Sequence, residues 1–127
     1  MIAVDTSALM AVVLNEPEAE ACIATLADED RLLISAGTVA ETLIVAQRRH
    51  VGEEIANLID RLGFEIIAVT PAAARRIAAI YARWGKGVHA AALNFGDCFA
   101  YEIAKDHNCP LLYVGDDFSK TDIVRAF

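Results

Sequence analysis

Five carboxylates stand where chemistry could be done in this chain: Asp5, Glu41, Asp97, Asp116 and Asp117. Asp5 closes a short apolar run at the start. Glu41 and Asp97 lie near the beginnings of two helical patterns. Asp116 follows an apolar run near the end, one glycine beyond Val114, and Asp117 is next to it. Carboxylates brought to one rim repel. Two of them ~5 Å apart do so by roughly 3 kcal/mol at an effective dielectric of ~20. Such a group raises the pKa values of its members or takes up a cation. Hard oxygen ligands with room for water and phosphate suit Mg²⁺ or Mn²⁺. An ion so held polarises a phosphodiester, activates a water and neutralises the leaving oxygen. The residues are consistent with one ion or two.

Whether the five meet depends on the elements that carry them. Ile2-Ala3-Val4-Asp5 reads as a buried strand and Thr6 to Leu14 as a helix capped by Asp5 or Thr6. Pro17 opens a second helix with Ala19, Cys22, Ile23 and Leu26 on one face. Leu32 to Ile34 is a second strand. Thr38 to His50 is a helix with Val39, Leu43 and Ala46 on its apolar side, and Glu53 to Leu62 is another, closed by Gly63. Glu65 to Val69 forms a third strand. Thr70-Pro71 starts a helix that runs to about Trp84, with Ala74, Ile77, Ala78 and Tyr81 inward. Asn94 to His107 is a helix with Phe95, Phe99 and Ile103 as its stripe. Leu111 to Val114 is the fourth strand, and Ile123-Val124 a candidate fifth.

Strands alternating with helices predict an α/β/α sandwich around a parallel sheet of four to five strands, one domain over residues 1–127. In such sheets the functional crevice lies beyond the carboxyl ends of the strands, where strand order reverses. If the first and fourth strands are neighbours there, Asp5 faces Asp116 or Asp117, and the helices bearing Glu41 and Asp97 start at the same rim. Each acid also has an ordinary role: Asp5 as a helix cap, Asp97 at a positive helix end, Asp116-Asp117 as a turn. Glu41 is harder to dismiss, because Val39, Ala40, Leu43 and Ile44 surround it and an unpaired carboxylate there is costly. The joint placement carries the argument.

Composition narrows the partners. The 127 residues are 56% hydrophobic, enough for a real core, and carry a net charge of −7. That charge excludes a general basic coat for nucleic acid while allowing a nucleic-acid substrate held by local contacts. Three Cys and no CxxC motif predict reduced thiols packed in the core of a cytoplasmic protein. No apolar stretch approaches the ~18 residues of a membrane span.

The residues around the acids resemble a known family. Ile2-Ala3-Val4-Asp5-Thr6-Ser7-Ala8-Leu9 is similar to the start of PIN-domain ribonucleases, in particular VapC-type toxins. Ile34-Ser35-Ala36-Gly37-Thr38-Val39-Ala40-Glu41 resembles their second motif. Asn94-Phe95-Gly96-Asp97-Cys98-Phe99-Ala100-Tyr101 resembles the third, and Leu111 to Phe118 followed by Lys120-Thr121-Asp122 the fourth. The likeness spans the chain in order and spacing. It implies a Mg²⁺- or Mn²⁺-dependent endoribonuclease acting on structured RNA such as tRNA or rRNA, with a VapB-like antitoxin partner and a homodimeric state. By position it implies Asp5, Asp97 and Asp116 as metal ligands and Glu41 as a further acid, with Asp117 competing for the place of Asp116. Ser7 is implied as a hydroxyl steadying Asp5 or a metal-bound water, and Asn94 as a weaker supporting residue.

The segment Arg83-Trp84-Gly85-Lys86-Gly87-Val88-His89 combines cations, an aromatic and glycines. Lys86 and His89 are candidate phosphate contacts, with Trp84 either stacking on a base or packing on the body. Two other phosphate-handling classes fit poorly. A haloacid-dehalogenase-like enzyme needs a second Asp where Ser7 stands. A response-regulator receiver needs one where the third strand runs into Val69-Thr70-Pro71. A non-catalytic nucleic-acid-binding module on the same fold is the remaining alternative.

Overall fold

The computed structural model describes all 127 residues. Four parallel strands form one sheet in the order β3-β2-β1-β4: β1 (Ile2–Val4), β2 (Leu32–Ser35), β3 (Glu65–Ile67) and β4 (Leu111–Leu112). Six helices connect and cover them: α1 (Thr6–Val13), α2 (Ala19–Asp28), α3 (Ala36–Arg48), α4 (Gly52–Leu62), α5 (Pro71–Trp84) and α6 (Phe95–Asp106). Alternation along the strands divides the core in two. Ile2, Val4, Leu32, Ile34 and Leu112 face one way and bury with residues of α1, α2, α3 and α4. Ala3, Leu33 and Leu111 face the other way and bury with α5, α6 and Phe118. The chain is the expected α/β/α sandwich. Strand order reverses between β1 and β4, so the loops after those two strands flank one crevice.

The differences from the sequence reading have physical causes. The fifth strand shrinks to a single parallel bridge between Leu111 and Arg125, because only one residue there pairs with β4. β4 itself stops at Leu112, and the Val114 amide donates to the Ser7 hydroxyl instead of extending a ladder. α3 begins at Ala36 rather than Thr38, since the Ser35 hydroxyl caps it by accepting from the Gly37 amide. It buries Thr38, Thr42 and Ala46 and leaves Leu43 exposed. Ile23 is likewise exposed on α2. On α5 the inward face is Ala73, Ile77 and Trp84, so Ala74, Ala78 and Tyr81 point outward. Alanines at 72 to 74, 78, 79 and 82 leave that face poorly marked. The structure marks it by Trp84, whose indole N–H donates to the Tyr101 hydroxyl at 3.0 Å.

On α6 the expected stripe holds at Ile103 and partly at Phe99 but not at Phe95. Cys98, Ala100, Tyr101, Glu102, Ile103 and Ala104 are buried, whereas Phe95 is exposed. Sheet, α3 and α5 pack around most of this helix, so burial is no longer confined to a stripe. Cys22 and Cys98 are buried and all three thiols are free. No helix is long and apolar enough to cross a membrane.

Candidate active site

Asp5 sits where β1 gives way to α1, and it serves both. As the N-cap of α1, its Oδ2 accepts from the Ser7 amide at 3.0 Å and from the Ser7 hydroxyl at 2.6 Å. Its Oδ1 is buried and has no partner. An ordinary cap leaves its second oxygen in water, so capping alone does not explain this one. Burial pushes the Asp5 carboxyl up to about 6, against the two Ser7 hydrogen bonds, and the charges of Glu41 and Asp117 push the same way. The Ser7 hydroxyl also accepts from the Val114 amide at 3.0 Å. One side chain thus ties the loop after β4 to the end of β1.

Asp97 is held by a capping box at the start of α6. The Asn94 side chain accepts from the Asp97 amide at 2.8 Å, and Asp97 Oδ2 accepts from the Asn94 amide at 3.0 Å. Asn94 therefore orients Asp97 through the helix terminus. The Asp97 carboxyl is pushed up to about 7, first by burial and then by the charges of Asp5, Asp117 and Glu41.

Glu41 reaches the same rim from the second turn of α3. Its Oε1 accepts from the Thr6 hydroxyl at 2.7 Å. Thr6 Oγ1 stands 2.9 Å from Thr42 Oγ1, and the Thr42 hydroxyl reaches the Thr38 carbonyl at 2.8 Å. The carboxylate lies against Gly96, so closely that a Cβ there would overlap it. Only glycine at this position lets the acid sit at the positive end of α6.

The structure thus brings Asp5, Glu41, Asp97 and Asp117 into one electrostatic neighbourhood at the β1/β4 crevice. Asp117 is among the main charges acting on both Asp5 and Asp97, and Asp116 is not. The carbonyl of Asp116 instead accepts from the Ser119 amide and hydroxyl, closing the turn. No Lys, Arg or His forms an ion pair with any of the four. No three of them close into a compact ligand cage. An orphaned buried oxygen, an all-oxygen donor set and two carboxyls raised by burial with no cation beside them fit a hard divalent ion that keeps several waters.

Sequence reasoning missed Thr6 and Thr42 as the groups that fix Glu41, because buried threonines carry no distinctive spacing. Gly96 beside an acid motif was the available signal for a close approach. The α5–α6 loop has its own character. From Ile66 to Gly96 the chain contains no Asp or Glu, yet it carries Arg75, Arg76, Arg83 and Lys86. Lys86 and His89 are exposed on the loop. Trp84 is buried, with Arg83 over its ring at 4.5 Å and His89 against it at 4.7 Å, so it packs on the body.

Comparison with known proteins gives a consistent result. Residues 2–124 match the family described as PIN domain. The chain is 46% identical over 125 residues to Ribonuclease VapC36 of Mycobacterium tuberculosis, covering 94% of this chain and 89% of that one. It is 38% identical over 126 residues to Ribonuclease VapC30 of the same species, covering 97% and 96%. Among solved structures it resembles Mycobacterium tuberculosis VapC20, described as a sarcin–ricin-loop-cleaving toxin. The TM-score is 0.79 at 17% identity, over 98% of this chain and 97% of that one. A toxin–antitoxin complex from Klebsiella pneumoniae superposes with a TM-score of 0.73 at 20% identity, over 100% and 98% of the two chains.

Proposed function

The chain belongs to the PIN-domain family, and from that premise we propose that it is a divalent-metal-dependent endoribonuclease, the toxin of a toxin–antitoxin pair. One observation carries the reading: the buried, unpartnered Asp5 Oδ1 among three further carboxylates that no cationic side chain neutralises. Asp5, Asp97 and Asp117 are the residues that would hold Mg²⁺ or Mn²⁺. Asp117 is preferred to Asp116 because its charge reaches both partners. When bound, such an ion supplies positive charge for the scissile phosphate and the leaving oxygen.

The remaining work falls to the chain. Glu41 is held by Thr6 on one oxygen, leaving the other to take the proton of the attacking water. Ser7 and Asn94 fix Asp5 and Asp97 so that neither has to reorganise. No histidine is needed. His89 Nδ1 accepts from the Ala91 amide at 2.9 Å, which places the ring proton of a neutral imidazole on Nε2, free to donate to a phosphate beside Lys86. These few contacts suit an acidic protein that must still hold RNA. The substrate class is structured RNA, tRNA or rRNA, cut at an exposed loop. The partner is a VapB-like antitoxin whose inhibitory segment brings Arg or Lys to the acids, and the toxin acts as a homodimer in the cytoplasm.

The test is direct. Purified protein is incubated with total RNA in Mg²⁺ or in EDTA, beside Asp97→Asn, and the cut ends are mapped. Cleavage is expected only for the unchanged protein with metal, while circular dichroism shows Asp97→Asn folded. Full cleavage by Asp97→Asn overturns the assignment.

A further inference from the structure

Phe95 is the most exposed large apolar side chain in the molecule, at 68%. It opens α6, directly after Asn94 and two residues before Asp97. Its ring stands edge-to-face with Phe99, centroids 4.9 Å apart and planes at 82°. Phe99 has little room to yield, since a Cβ on Gly37 would overlap its ring. An exposed aromatic on rigid backing is a feature that packing does not require. A groove of about 400 Å³ runs past it between α3 and α6, lined by Glu41 and Gly96, by Ile44, Phe95 and Phe99, and by Arg48. Arg48 lies seven residues beyond Glu41, about 10 Å along the helix, and makes no ion pair.

We infer that this groove is a subsite for one unpaired nucleotide beside the cleaved bond, its base stacked on Phe95 and its outer phosphate at Arg48. The inference rests on the ribonuclease reading and adds to it what the site recognises. The groove is continuous with the acids through Glu41, so an occupant here is next to the reacting phosphate. A flat hydrophobic face with an unpaired guanidinium two turns away is the pair of groups that grips a single strand without reading its sequence. A purely apolar partner helix would use Phe95 and Ile44 but has no use for the free Arg48. Trp84, the other aromatic near the loop, is buried and cannot serve.

The experiment uses an RNA containing the mapped cut, and versions of it made abasic at the nucleotide on either side. Loss of one of the two bases is expected to lower kcat/KM of the unchanged protein about ten- to a hundredfold. Phe95→Ala shows the same loss on intact RNA and no further loss on the abasic one. Phe95→Trp recovers most of it, and Phe95→Leu does not. Arg48→Ala lowers the slope of log affinity against log salt by about 0.7. Cleavage by Phe95→Ala at the normal rate overturns the inference, as do additive losses from the two changes. It also fails if Phe95→Ala alters only self-association. Should the unchanged protein cut no RNA, the ribonuclease reading falls separately. The subsite is then judged by Phe95→Trp emission with a short mixed-sequence single-stranded RNA: quenching retains it, and unchanged emission removes it.

Discussion

Ser7 shows how much one hydroxyl can organise. It donates to Asp5 and accepts from Val114, so it fixes an acid on β1 and anchors the loop that presents Asp117. Ser7→Ala is expected to lower cleavage about ten- to a hundredfold, the usual cost of losing a group that orients a metal ligand. It should lower stability by only about 1 kcal/mol. Steady-state kinetics and thermal melts on one preparation separate the two effects, and unchanged kinetics would show that Ser7 merely caps α1. The bond to Asp5 was implied by the likeness of the opening motif. The bond to Val114 was not, because it joins residues 107 apart in the chain. The same divide runs through the other acids. Asp97 was legible from its place in the first turn of a helix and from the likeness of its motif, while nothing local separated Asp116 from Asp117. That choice is made by which way a turn points its side chains.

Helix α3 meets α6 at two glycines, Gly37 beneath Phe99 and Gly96 beside Glu41. Contact this close leaves no slack. Gly96→Ala should displace the Glu41 carboxylate, abolish most cleavage and destabilise by about 1 kcal/mol, the scale of the Thr6–Glu41 hydrogen bond it breaks. Adding Glu41→Ala should cost little further stability and restore no activity. A double-mutant cycle in Tm measures the coupling, and purely additive effects would place the clash elsewhere. Element order and type were legible because caps and punctuation are local: Thr70-Pro71 opens α5, Asn94 opens α6 and Gly63 closes α4. Helix faces were less so. A face is chosen by what packs on it, and α6 is enclosed on several sides at once. Phe95 is exposed for the converse reason, since it lines the groove between α3 and α6 and no element covers it.

At the scale of the whole molecule, gathering anions has a cost that depends on pH. Asp5 and Asp97 titrate near 3.8 when free but at about 6 and about 7 in the fold. Between those values the folded chain holds more protons than the unfolded one, so stability falls as pH rises through this window. Below it both states are protonated and the penalty is absent; above it the penalty is complete. The metal-free protein should therefore lose Tm between about pH 4 and pH 7 more steeply than Asp97→Asn, in which one of the two titrations is gone. Mg²⁺ should raise Tm more at the higher pH, where the acids are charged and ready to bind. Calorimetry and melts in EDTA and in Mg²⁺ test both, and equal slopes for the two proteins would mean Asp97 is not raised. The acid-free stretch from Ile66 to Gly96 completes the charge division and ends in a loop of unusual construction. Gly85 and Leu93 pair across its base, with the Lys86 amide on the Leu93 carbonyl and the Leu93 amide on the Trp84 carbonyl. A segment clasped at its neck can be lengthened, shortened or recoded without disturbing whatever follows the clasp. Residues 86 to 92 can therefore vary in length and sequence while the carboxylates beyond the clasp keep their places.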